Sequence, residues 1–134
     1  MKYLIIKFLR KLGIIKQENV VDHALKVVEA TKPEEWTIYQ ISNEHGQCCF
    51  LGHIAKSYGK NVENMGTSNV LLIPEVEKID EKIVKYCEKK HNEHIAHSHN
   101  INDTLAVNGY NEEHPRDRML HVLRDMKADG WDKK

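Results

Sequence analysis

"PEVEKIDEKIVKYCEKK", residues 74–90, decides the fold class. Proline lacks a backbone donor, but its fixed φ suits the first position of a helix. Glu75 and Glu77 then fall in the first turn, where negative charge meets the positive end of the helix dipole. Val76, Ile79, Ile83 and Cys87 recur at spacings of three and four, which puts them on one face. The spacing predicts an amphipathic helix over 74–90 with that stripe turned to a core.

The same pattern recurs on either side. Pro115 opens a last helix that packs Met119, Val122, Leu123 and Met126 and stops before Gly130. Upstream, Val21, Ala24, Leu25 and Val28 form a helical stripe with Asn19 as its cap, and Pro33 closes the segment. Thr31 with "KPEEW" (32–36) predicts a short capped turn that brings Trp36 into the core. A further helix is expected over 49–58, ending at Gly59. "TIYQIS" (37–42) alternates and is rich in β-forming residues, and "NEHG" (43–46) can turn, so a short hairpin is expected there. "KNVENMGTSN" (60–69) is a loop by composition. These elements define a mainly α fold: a compact bundle of about five helices with one short β-hairpin, in one domain over 18–134.

Residues 1–17 are basic and apolar and predict an N-terminal amphipathic helix. Lys7, Arg10 and Lys11 interrupt the apolar run and no small-residue cleavage site follows, unlike an export signal. The run is also shorter than a bilayer span. The helix is expected to dock on the domain, with contact between residues 1–16 and a membrane surface as the lesser alternative. An odd count of three cysteines, two of them adjacent, fits a reducing compartment, and a cytoplasmic location is expected.

Twenty basic and twenty acidic residues leave no global field to steer the chain to a charged partner. The basic residues are interspersed with acidic ones, and no aromatic platform or glycine-rich phosphate loop is visible, so no nucleic-acid partner is expected. Nine histidines make pH 5–7 the range over which the net charge swings.

Two stretches carry the chemistry. In "HGQCCFLGH" (45–53), Leu51, Ile54, Ala55 and Tyr58 share a helical face with Phe50 on its border, and Cys49 and His53 fall together opposite, beside Lys56. A thiol at a helix start next to an imidazole and an ammonium would have a lowered pKa and act as a nucleophile. The leading expectation is instead that the domain covers both faces and Cys49 is a small packing residue, with the activated thiol as the alternative. His45, Cys48, Cys49 and His53 also offer metal ligands, but the two-residue spacer between cysteines is missing. In "HNEHIAHSHN" (91–100), the stripe through Cys87 continues to His91 and His94, and helical spacing lets His91, His94 and His97 converge on zinc, copper or nickel. The alternative is a solvated helix end whose imidazoles suit the dipole. No cofactor is expected, with zinc at these histidines as the exception to test.

"CFLGHIA" (49–55), preceded by Trp36, and "LAVNGYNEEHPRDRMLHVLRDM" (105–126) resemble a family of small domains of bacteria and their phages. In that family a Trp and a hairpin lead to a helix opening Cys-x-Leu-Gly, followed by His or Ala. An Asn-Asp pair then precedes a loop, and a last helix opens with Pro or Thr, a basic residue and Arg. Cys49, Leu51, Gly52 and His53 match the first element, and Pro115, Arg116 and Arg118 the last. At the middle element Asn108 is followed by Gly109 instead of Asp, while Asn102–Asp103 matches at a different distance. The resemblance spans roughly residues 20–128 and carries no activity over.

Gly52 admits a close backbone neighbour, and Asn108 can cap the turn that leads to Pro115. Arg116 and Arg118 sit at the unfavourable end of a helix dipole, so partners are expected to compensate for them; a structural role is the leading reading, with a buried or interfacial carboxylate or a bound anion as the candidate partner. Three functions follow. The leading one is a non-catalytic binding protein of phage or mobile-element type with a protein partner, using Lys56, Arg116 and Arg118. The first alternative is a hydrolase or transferase with Cys49 as nucleophile, His53 as base and Asn108 as orienting amide. The second is a metal- or pH-responsive histidine element.

Overall fold

Asn19 accepts a 2.9 Å hydrogen bond from the Asp22 amide and so starts the first helix, α1 (Val20–Ala30). The fold is that of a computed structural model that describes residues 18–133; the helix expected over residues 1–17 lies outside the described residues. After α1 come α2 (Phe50–Ser57), α3 (Thr67–Val70), α4 (Pro74–His91), α5 (His99–Asp103) and α6 (Pro115–Ala128). Two 3₁₀ turns, Pro33–Glu35 and Trp131–Lys133, complete the order.

The expected stripes become the core. Val76, Ile79, Ile83 and Cys87 of α4 are buried, as are Met119, Val122, Leu123 and Met126 of α6. α1 packs against α6, α2 and α4, and α2 lies against α4 and α5, so α2 is covered on both faces. Phe50, Leu51, Gly52, His53, Ile54, Ala55 and Ser57 are all buried, leaving Lys56 as the exposed position. Trp36 also reaches the core, and its indole N–H donates to Thr31 Oγ1 at 2.9 Å.

The mainly helical class holds, with six helices among the described residues; α3 and α5 are the short ones, and α3 falls in the stretch expected to be a loop. The hairpin is not formed. Cys48 instead makes isolated bridges to Trp36 (parallel) and Ser42 (antiparallel), and no strand forms among the described residues. The cause is local. Tyr39 adopts φ 64° and breaks the extended run. The Asn43 side chain accepts from the His45 and Gln47 amides, both at 3.0 Å, closing a tight loop in place of a ladder. Gly52 has the role expected of it. A Cβ there would stand 2.4 Å from the Ile41 carbonyl oxygen, and that oxygen also accepts from the Cys49 amide at 3.0 Å.

Candidate functional site

The first amides of a helix have no partner within it and must find one elsewhere. At α2 the preceding residue, Cys49, has the extended backbone of a cap, but its side chain makes no capping bond. Asn102, at the far end of α5, does the work: its Oδ1 accepts from the Phe50 amide at 3.0 Å. Its Nδ2 donates to the Thr37 carbonyl (3.1 Å) and to Asp103 Oδ1 (2.8 Å). Asn102 is fully buried, and its bond to the Phe50 amide is shielded from water.

Arg118 completes this hub. Its guanidinium donates to the carbonyls of Ile101 (2.8 Å), Asn102 (2.6 Å), Glu112 (2.7 Å) and Glu113 (2.9 Å). Arg116 does the same for the end of α1, donating to the Thr31 carbonyl (3.0 Å) and the Glu29 carbonyl (3.2 Å). The hydrogen bonds of these arginines therefore go to backbone carbonyls, while the Glu112 and Asp103 carboxylates act on Arg118 through charge alone. Arg116 has in addition only a 3.7 Å approach to its neighbour Asp117. Both residues hold loops and helix ends together.

Burial works against the thiol chemistry considered for Cys49. The Gly52 and Leu51 amides pull its pKa down, as a helix start should, but desolvation is larger and pushes the thiol up to about 11. His53 is no base for it. Burial depresses the imidazole to about 4, its ring packs on Trp36 at 4.6 Å, and its Nε2 faces the Glu35 carbonyl at 3.1 Å. With a carbonyl as acceptor, Nε2 must carry the ring's proton. Asn108 lies exposed in the turn before Gly109. The asparagine beside the Cys49–Phe50 peptide is Asn102, the other match of the Asn-Asp element. Lys56 lines an open cleft of about 520 Å³ with Cys48 rather than Cys49, and burial raises the Cys48 thiol despite the lysine.

The histidines also part company. α4 ends at His91 because Asn92 turns left-handed (φ 53°), so the stripe does not continue to His94. His91 Nε2 pairs with the Tyr110 hydroxyl at 2.9 Å, and that hydroxyl donates to Asp125 at 3.0 Å. His94 is exposed, 4.0 Å from the Glu88 carboxylate. His97 Nδ1 lies 2.9 Å from Asp80 Oδ2. The three expected ligands serve three different partners, and among the described residues no group of three or more His, Cys, Asp and Glu is placed to hold a metal ion.

Three features were not read from the sequence. The first joins Glu18, His23 and Ser57: Glu18 Oε1 is 3.3 Å from His23 Nδ1, and His23 Nε2 is 2.8 Å from Ser57 Oγ. The order mimics a hydrolytic triad. However, Ser57 is buried, and its hydroxyl proton goes to the Ile54 carbonyl at 2.6 Å. The hydroxyl is a helix-to-helix tie between α1 and α2, since it is neither free nor reachable. No periodic signal pairs residues this far apart. The second is Asp80, a buried carboxylate on the apolar side of α4. The third is Tyr39, 72% exposed at its positive φ, with its amide donating to Asp103 Oδ1 at 3.0 Å. Ile38 and Leu105 are exposed apolar residues of the same two adjoining segments.

Set against protein-family models, curated proteins and solved structures, the chain matches none of them.

Proposed function

We propose that the chain is a non-catalytic binding protein of phage or mobile-element type, and that it engages a protein partner through the surface carrying Ile38, Tyr39 and Leu105. The single observation behind this is Tyr39. A bulky residue at positive φ costs about 1–2 kcal/mol and persists only where its surroundings impose it. Here the Asp103 carboxylate fixes the backbone while the ring stays in solvent, so the strain serves no internal packing. Exposed aromatics held rigid are the side chains that anchor protein interfaces at low entropic cost. The polar groups that would otherwise suggest catalysis are engaged inside the fold, which also supports binding over turnover. The three free thiols fit a reducing compartment, and a cytoplasmic location is part of the same proposal.

A photo-crosslinking amino acid placed at 39, at 105 and at the exposed control position 89 tests this in cells producing the full chain. A discrete adduct of one size from 39 and 105, absent from 89 and kept in a Cys49→Ala background, is expected. Identical products from all three positions, or loss of the adduct with Cys49, would defeat the proposal.

A further inference from the structure

We propose that Asn108 is a site of spontaneous covalent modification, in which the Gly109 amide closes on the Asn108 side chain and water opens the ring to aspartate and isoaspartate. Asn108–Gly109 is the one Asn-Gly step in the chain. Every other asparagine precedes a residue whose side chain hinders the ring closure. Asn108 and Gly109 are both exposed. Among the described residues the Asn108 side chain makes no hydrogen bond, and the Gly109 amide donates none.

The turn itself requires this labile pair. Gly109 has φ 106°, which glycine adopts without steric cost and other residues only under strain. The Tyr110 amide closes the turn on the Val107 carbonyl at 3.2 Å, and Val107 and Tyr110 are both buried. The Asp129–Gly130 step, which could close the same ring, is the internal comparison. There the Gly130 amide donates to the Lys127 carbonyl at 3.1 Å, and the Asp129 carboxylate accepts from the Tyr86 hydroxyl at 2.7 Å. Its nucleophile and its electrophile are both engaged, whereas at 108–109 both are open.

The chemistry balances with water as the only co-reactant. The Gly109 nitrogen gives its proton to hydroxide and attacks Asn108 Cγ. The new N–Cγ bond replaces the Cγ–Nδ2 bond, and the side-chain nitrogen leaves as ammonia. One water then opens the cyclic imide. Cleavage of the N–Cγ bond gives aspartate. Cleavage at the main-chain carbonyl carbon gives isoaspartate, whose backbone runs through the side chain and is one methylene longer. Either product adds a carboxylate, ionised at neutral pH.

The two products differ in reach. The longer backbone of isoaspartate falls between Val107 and Tyr110, and the Tyr110 hydroxyl pairs with His91 at 2.9 Å and donates to Asp125 at 3.0 Å. Isoaspartate therefore disturbs the end of α4 through Tyr110, while aspartate adds only surface charge. No enzyme is needed and the product does not return to asparagine, so the modified fraction rises with the age of the chain.

The test is incubation of the full chain at pH 8 and at pH 6 for weeks, with peptide mass mapping and enzymatic methylation of isoaspartate. A mass gain of about 1 Da is expected at Asn108 before any other asparagine, faster at pH 8, with isoaspartate at 108 and none at 129. Asn108→Ser should abolish the gain in that peptide. In NMR the His91 and Tyr110 ring signals should shift in the isoaspartate form and hold their parent positions in Asn108→Asp. An Asn108 that stays intact in the folded chain, isoaspartate at 129 as fast as at 108, or unmoved His91 and Tyr110 signals in the isoaspartate form would each overturn the proposal.

Discussion

The stretches 45–53 and 91–100 look alike on paper, each dense in histidine and each offering ligands or a nucleophile. They end in opposite environments. In the first, α2 is wrapped on both faces, Cys49 is driven toward its neutral form and His53 is held uncharged against Trp36. In the second, α4 stops at His91 where Asn92 turns left-handed, which leaves His94 exposed and His97 and His99 only partly buried. Residue type sets what a side chain can do, and burial decides which of those things remains. Desolvation outweighs the helix-start amides at Cys49, so the same thiol that would be activated at a surface is silenced in a core.

If the first region is a structural hub, breaking it costs stability before anything else. The largest effect is expected from Arg118→Leu, which leaves four carbonyls without their donor, two of them buried, and should remove about 4 kcal/mol, measured by urea unfolding. Gly52→Ala forces a Cβ onto the Ile41 carbonyl and should cost about 3 kcal/mol in the same assay. A loss under about 0.5 kcal/mol in either variant would mean that these contacts do not hold the hub together.

Acid sharpens the contrast. His53 binds its proton less readily when folded (about 4) than when exposed (6.5), so its contribution is complete above 6.5. It is lost as pH falls from 6.5 through 4, by up to about 3 kcal/mol at the low end. Unfolding free energies measured across that window should fall in the parent and fall less in His53→Phe. Parallel curves would show that His53 is not buried neutral. The smallest effect expected is from Asn19→Ala, about 1 kcal/mol through loss of the α1 cap.

How much of this was legible depended on range. The stripes of α4 and α6, the Asn19 cap, the burial of Trp36 and the close approach at Gly52 are written in local spacing, and they appear where spacing puts them. The hairpin failed because 37–42 has strand composition, yet Tyr39 turns left-handed and Cys48 takes both pairings. The site was less legible. Asn102 reaches α2 from 52 positions away, and the Arg118 carbonyls come from the loop before α6 and from α5. No periodicity reports such contacts; only the Asn102–Asp103 match hinted at one of them. The choice between a packed and an activated Cys49 was open for the same reason, since exposure of a helix start is a tertiary property.

Native-state alkylation at pH 8, with the modified cysteine located by mass spectrometry, tests the silenced thiol most directly. Cys49, held at about 11 and buried, should stay unmodified under conditions that alkylate it fully in denaturant. Stoichiometric labelling of Cys49 in the folded protein would contradict the structural hub and return the thiol to the centre of its function.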